Sequence, residues 1–188
     1  MDNIKSEKIF ITKSFEETQK LGEEFVKRII QELGVSLSKK RAYVVGLYGD
    51  LGSGKTTFVQ GLAKGLGIKR RIISPTFIIV RTYKLKAKSA KRKTTVQNLK
   101  FFYHIDLYRI KSDRDIDGLG LGEIISDPQN IVAIEWAEKT GNLLPEDRID
   151  IRFASISESK RRITINIKNQ KLNIKNTRLA KALAKRAD

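Results

Sequence analysis

Gly49-Asp50-Leu51-Gly52-Ser53-Gly54-Lys55-Thr56 satisfies every fixed position of the pattern G-x-x-x-x-G-K-[ST]. No other stretch constrains the fold as tightly, because this pattern works only between a buried strand and the start of a helix. The flanks supply both. Ala42-Tyr43-Val44-Val45-Gly46-Leu47-Tyr48 reads as a buried strand, and Phe58, Leu62 and Leu66 recur at helical spacing afterwards. The glycines let backbone N–H groups turn inward around phosphate oxygens. The helix start adds a partial positive charge of roughly half a unit. Lys55 is expected at the β and γ phosphates, exposed to ligand and free of core contacts, with the Thr56 hydroxyl on Mg2+. The expected nucleotide-binding set is Gly49, Asp50, Leu51, Gly52, Ser53, Gly54, Lys55, Thr56 and Thr57, with ATP and Mg2+ as cofactors.

The remainder of the chain reads as one α/β unit. Its 188 residues, 40% of them apolar, suit a single core. No apolar run is long enough to span a bilayer, and no signal-like stretch follows Met1, so a soluble cytoplasmic protein without membrane contact is expected. Cysteine is absent and His104 is the only histidine, which excludes disulfides, thiolate metal sites and a multi-histidine zinc site within one chain. The formal net charge of +17 favours anionic partners, although solubility alone is a competing explanation. The excess concentrates in two blocks, Lys84 to Lys93 and Asn169 to Arg186.

Along the chain, Ile9-Phe10-Ile11 is a short strand candidate. Ser14-Phe15-Glu16-Glu17 has the S-x-x-E capping pattern, and Leu21, Phe25, Val26, Ile29, Ile30 and Leu33 form the apolar face of a helix ending near Gly34. Ser74-Pro75-Thr76-Phe77 is extended, because the residue before proline avoids helical geometry. Phe77 to Tyr83 and Leu99 to Ile105 read as strands joined by the lysine block as a hairpin loop. Leu119 to Ile125 is a short glycine-broken helical turn, and Ile131-Val132-Ala133-Ile134 a central buried strand. Arg148 to Phe153 and Arg161 to Ile167 form a closing hairpin. Residues 1–168 are expected to form the nucleotide-binding domain, with 169–188 a basic tail or short helix.

A phosphate loop needs oxygen ligands for Mg2+ and a residue that orients water. Two apolar strands end in acids: Asp106 after Phe101-Phe102-Tyr103-His104-Ile105, and Glu135 after Ile131 to Ile134. Both are candidates for metal and water, against the plainer reading of strand-end carboxylates capping a turn or pairing with Arg109. Thr76, in the proline-stiffened segment after the loop helix, is a candidate switch threonine that reports the γ-phosphate. The competing reading is a strand-start threonine without a role. Trp136, the only tryptophan, is expected on the strand with its ring on the face opposite Glu135, as core or as a cover for the nucleotide pocket.

The ordered set of motifs resembles the TsaE (YjeE) family of small P-loop ATPases in tRNA threonylcarbamoyladenosine biosynthesis. It runs from the loop with Thr57 through Ser74-Pro75-Thr76-Phe77 and His104-Ile105-Asp106-Leu107-Tyr108-Arg109. It continues through Leu119-Gly120-Leu121-Gly122-Glu123, Ile134-Glu135-Trp136-Ala137-Glu138-Lys139 and Leu144-Pro145, covering roughly residues 8 to 168. The resemblance implies a P-loop NTPase-like three-layer α/β fold with a mixed, partly antiparallel sheet. It implies slow Mg2+-dependent ATP hydrolysis in support of t6A37 formation, together with TsaB and TsaD and without transfer of the threonylcarbamoyl group by this chain. Carried over by position, Lys55 and Thr56 match the loop lysine and Mg2+ threonine, and Thr76 the switch threonine. Asp106 and Glu135 match the two functional acids, with Glu135 favoured for metal and Asp106 for the catalytic environment. The stretch Ser14 to Thr18 corresponds to one near the adenine. The basic block at Lys84 to Lys93 and the lysine-rich tail depart from the compact family pattern, and both are candidates for attracting tRNA.

Two other functions share the loop. A small-molecule or nucleotide kinase needs an acceptor site and a lid with arginines fixed over the phosphates, and the lysine block lacks that geometry. A stand-alone nucleic-acid-binding ATPase suits the net charge, but the basic blocks offer few aromatics for base stacking.

Overall fold

The computed structural model describes residues 6–33, 40–70, 72, 78–85 and 99–167. Seven strands form one sheet in the order β1-β7-β6-β2-β5-β4-β3. They are β1 (Ser6–Thr12), β2 (Tyr43–Tyr48), β3 (Val80–Lys84), β4 (Phe101–Asp106), β5 (Asn130–Glu135), β6 (Ile149–Ser155) and β7 (Arg161–Ile167). The central strands β6, β2, β5 and β4 run parallel to their neighbours within that group. The outer strands β1, β7 and β3 pair antiparallel. The sheet is therefore mixed, as the α/β reading expects.

Side-chain alternation divides the core between the two faces of the sheet. On one face, α1 (Phe15–Leu33) and α2 (Lys55–Gly65) pack on Val45, Leu47, Phe102, Ile131, Ala133, Ile149 and Ile151. On the other, α3 (Asp113–Asp117), α4 (Leu121–Ser126) and a 3-10 segment, Ala137–Leu143, cover Val44, Ile105, Val132 and Ile134. Strands β2 and β5 thus have both faces covered, which is why they read as continuous apolar runs.

The α1 stripe falls as the spacing predicts, with Leu21, Phe25, Val26, Ile29 and Ile30 buried. Its start is a variant of the expected cap. The Ser14 hydroxyl accepts the Glu17 N–H at 3.2 Å, but the Glu17 carboxylate accepts the Lys13 N–H at 2.7 Å rather than that of Ser14. Helices α1 and α2 meet through glycines. A Cβ at Gly61 would lie 2.0 Å from the Gln19 carbonyl oxygen, and one at Gly22 would lie 2.4 Å from that of Phe58. Phe58, fully buried, then stacks between Phe25 and Phe153 with ring centroids 5.6 Å apart in each pair. This close approach fixes the helix that begins at the phosphate loop.

Several strand boundaries differ by a few residues from those expected, and two of the differences lie at the site. The strand expected from Phe77 begins at Val80, because Ile79 has φ 67° and turns the chain instead. A β-branched residue in the left-handed region is sterically disfavoured. Here its carbonyl accepts the Asp106 N–H at 2.9 Å, so the turn is tied to the end of β4. Strand β4 also runs one residue further than expected, through Asp106 itself. The expected pairing of the β3 and β4 segments holds, antiparallel from Val80–Ile105 to Lys84–Phe101. Ser74 to Phe77, Lys86 to Lys93 and the tail 169–188, expected as a basic tail or short helix, lie outside the described residues. Among the described residues no helix is long and apolar enough to cross a membrane.

Candidate nucleotide site

The carboxyl ends of β2, β5 and β4 lie side by side; β5 and β4 end at Glu135 and Asp106, and β2 runs into the phosphate loop. Ligands of open α/β sheets collect at this edge. From β2 the chain enters the loop Gly49 to Gly54 and then α2, which starts at Lys55. Gly49 has φ +132° and would meet the Phe153 carbonyl oxygen at 2.3 Å if it carried a Cβ. Gly54, at φ +104°, is the left-handed residue from which α2 departs. The pattern's two fixed glycines therefore stand where a side chain is excluded or strained. The Ser53 hydroxyl, inside the loop, is buried without a hydrogen-bond partner among the described residues. Leu51 is exposed at the loop tip, and Asp50 accepts the Ser53 N–H through its carbonyl at 3.2 Å.

The parallel register of β4 and β5 pairs Asp106 directly with Glu135, so the two acids stand on the same face, the one that carries α2. Both are buried, at 3% exposure each. From the first turn of α2, the Thr56 hydroxyl donates to Glu135 Oε2 at 2.9 Å. The other oxygen, Oε1, is 2.8 Å from His104 Nε2. Asp106 Oδ1 accepts the Tyr108 N–H at 3.0 Å, closing the turn after β4. The structure thus gathers Lys55, Thr56, Asp106 and Glu135 at one edge. Thr57 follows on α2, half-buried. Thr76 lies outside the described residues.

Lys55 differs from its expected exposure. It is 4% exposed, and its ammonium donates to the Gly49 and Asp50 carbonyls at 2.6 and 2.8 Å. The Trp136 ring covers it, with the centroid 4.1 Å from Nζ. Burial holds the Lys55 pKa below its ordinary 10.5, while the carboxylates of Glu135, Glu138, Asp106 and Asp50 oppose that shift.

Trp136 departs from its expectation only in lying beyond the strand. Strand β5 ends at Glu135, and Trp136 has φ 58°, so the side-chain alternation stops before it. Its ring packs against the cluster on the far face of the sheet and also reaches the loop lysine. Tyr108 packs on it with ring centroids 5.3 Å apart. Lys139 ties the two turns together by donating to the Tyr108 and Ile110 carbonyls at 2.6 and 2.8 Å.

Three contributors escaped the sequence reading. His104 sits two residues before Asp106 on the same strand, and period-two alternation already places both on one face. Arg161, at the start of β7, donates to the Gly52 carbonyl at 3.3 Å and to the Ser157 and Glu158 carbonyls at 2.9 and 3.0 Å, bracing the loop against the β6–β7 turn. No local sequence signal marks that contact, which spans 109 residues. Lys139 is the third, and its role depends on the left-handed turn at Trp136.

With this geometry in view, comparison with known proteins is specific. The family model described as threonylcarbamoyl adenosine biosynthesis protein TsaE matches residues 12–163. The chain belongs to the TsaE family. Its relatives include proteins named tRNA threonylcarbamoyladenosine biosynthesis protein TsaE. That of Borreliella burgdorferi is 40% identical over 120 residues, covering 64% of this chain and 78% of the relative. That of Rickettsia conorii is 38% identical over 152 residues, covering 80% and 77%. That of Bacillus subtilis is 36% identical over 121 residues, covering 64% and 67%. Among solved structures, the crystal structure of Bacillus subtilis YdiB superposes with a TM-score of 0.66 at 25% identity, covering 100% of both chains. The matched span takes in the phosphate loop, both strand-end acids and the β6–β7 turn, so the site described above is TsaE-family sequence throughout.

Proposed function

We propose that this TsaE-family chain is a Mg2+-dependent ATP hydrolase that supports t6A37 formation on tRNA together with TsaB and TsaD, without itself transferring the threonylcarbamoyl group. The observation that carries the reading is the meeting of the Thr56 hydroxyl and the Glu135 carboxylate at 2.9 Å, with Asp106 paired to Glu135 across the strands. A hydroxyl at the start of the loop helix and a strand-end carboxylate are the protein's usual share of a Mg2+–nucleotide site.

The residues present fit that ion. The donors are hard oxygens, and a carboxylate or two with a hydroxyl leaves room for the phosphates and waters that Mg2+ retains. The buried Ser53 hydroxyl, unpartnered among the described residues, and the left-handed glycines of the loop fit a phosphate as well. Bound Mg2+ would supply charge neutralisation at the β and γ oxygens.

The remaining work falls to side chains and backbone. The loop amides and the α2 N-terminus bind the phosphates. Lys55 has three donors, two of them on loop carbonyls, and it meets the phosphates by trading those carbonyls for anionic oxygens. Trp136 limits water around that ammonium, which strengthens its attraction to phosphate. Thr56 and Glu135 hold the metal position. Asp106 orients the attacking water, its own orientation fixed by the Tyr108 N–H. Thr76 is assigned the γ-phosphate switch.

The test is to mix the chain with ATP, Mg2+, TsaB, TsaD and tRNA and follow phosphate release and t6A formation. Phosphate release to water and t6A that depends on this chain support the reading. Transfer of the γ-phosphate to a nucleoside or metabolite would replace it with a kinase.

A further inference from the structure

We propose that His104 is a positioning residue for the Glu135 carboxylate, holding the orientation in which Glu135 presents an oxygen to Thr56; this rests on the Mg2+-site reading of Thr56 and Glu135. The argument begins with register. His104 on β4 pairs with Ala133 on β5, and Glu135 lies two residues further along β5 on the same face. The imidazole therefore reaches the carboxylate diagonally across the strand pair. His104 Nε2 and Glu135 Oε1 are 2.8 Å apart, with the histidine fully buried and the glutamate 3% exposed.

The two oxygens of Glu135 are thus held from two different elements, Oε1 by β4 and Oε2 by the first turn of α2. This matters because the terminal torsion of a glutamate is broad, so packing alone does not fix the carboxylate plane. A donor on each oxygen does. Partners that orient a ligating group in this way influence metal affinity without touching the metal.

The unused nitrogen supports a dedicated role. His104 Nδ1 is buried without a hydrogen-bond partner among the described residues. An ionised carboxylate can only accept, so the pair is made when Nε2 carries the proton. An apolar side chain would fill this space without leaving a buried ring nitrogen unmet. Among the described residues, the ring nitrogen that has a partner is the one on Glu135.

The experiment uses the full chain and two variants, His104→Leu and His104→Gln. The glutamine retains an N–H donor near the Nε2 position, and the leucine removes it. Calorimetry gives nucleotide affinity with and without Mg2+, and phosphate release gives the Mg2+ concentration for half-maximal rate. The expected result for His104→Leu is Mg2+-free nucleotide affinity near wild type and a Mg2+ requirement raised about 10- to 100-fold. His104→Gln should recover most of that loss. Nitrogen-15 spectra give an activity-independent readout, and the signals need no assignment because His104 is the only histidine. The wild type should show the Nε2–H tautomer, and Glu135→Gln should shift its signals. An unchanged Mg2+ requirement in a folded His104→Leu, or an Nδ1–H tautomer in the wild type, overturns the proposal. If the leucine variant does not fold, the glutamine variant and the tautomer decide. A wild type that binds and hydrolyses ATP without regard to Mg2+ is a different failure. It removes the site reading on which the proposal stands, even if the tautomer confirms the pair.

Discussion

The Thr56 hydroxyl, in the first turn of α2, donates to Glu135 Oε2 at the end of β5, 2.9 Å away and 79 residues along the chain. This contact joins the phosphate loop to the acid that the sequence could associate with it only by type. It separates two kinds of damage. Glu135→Ala and Asp106→Ala leave the loop backbone and Lys55 in place, so ATP affinity should change less than about 10-fold while single-turnover hydrolysis falls about 100-fold or more. Quench measurements of hydrolysis beside calorimetric affinities check this. Near wild-type hydrolysis by both variants would remove the acids from the mechanism.

Lys55 makes a prediction in pH. Its pKa in the folded chain lies below 10.5, chiefly because it is buried. Between the folded value and 10.5 the unfolded chain holds more of the proton, so this group's contribution to stability rises with pH across that window. Phosphate favours the charged form, so ATP affinity should fall over the same window. Lys55→Met should lose the pH-linked rise in stability and bind ATP about 10- to 100-fold more weakly. Thermal unfolding and calorimetry of both proteins, from neutral pH toward 10.5, check the signs.

Much of this site was legible because its chemistry is local. Gly49 to Thr56 lies within one turn and needs no tertiary information. Asp106 and Glu135 each close an apolar strand, and the sheet order then makes them neighbours. What stayed hidden depends on backbone turns and distant pairings. Trp136 takes a left-handed conformation that strand periodicity cannot announce, and it carries the ring to Lys55. Ile79, in the same left-handed region, delays to Val80 the strand expected from Phe77. Lys55 reads as a ligand-facing lysine, yet it folds onto its own loop carbonyls because a buried ammonium must find acceptors. The Arg161 to Gly52 contact joins segments that only the fold brings together.

The seating of α2 gives a test of stability. Gly61→Ala would push a Cβ to 2.0 Å from the Gln19 carbonyl oxygen, where backbone has to move. We expect a loss of about 1–3 kcal/mol, with weakened ATP binding as the loop helix shifts. Gly122→Ala, in helix α4 with nothing within 4 Å of the added carbon, should be stabilising by about 0.4–1 kcal/mol. Denaturant unfolding of the two variants distinguishes close packing from glycine content alone.

The basic block offers an electrostatic prediction. Replacing Lys86, Lys88, Lys91, Arg92 and Lys93 with serine should leave ATP affinity near wild type. It should weaken association with tRNA or with the partner complex and flatten its salt dependence. Titrations at two salt concentrations check this. A large loss of ATP affinity would mean instead that the block reaches the nucleotide.

The proposed Mg2+-dependent ATP-hydrolysing site of Lys55, Thr56, Asp106 and Glu135, working with TsaB and TsaD, is decided by phosphate release from ATP. Release is measured for the wild type and for Glu135→Gln, with TsaB and TsaD present, with Mg2+ and with the metal chelated. The expected result is release by the wild type only when Mg2+ is present, reduced about 100-fold or more in the variant. Release that is indifferent to Mg2+ and to Glu135, or no release at all from a wild type that forms the complex, would contradict it.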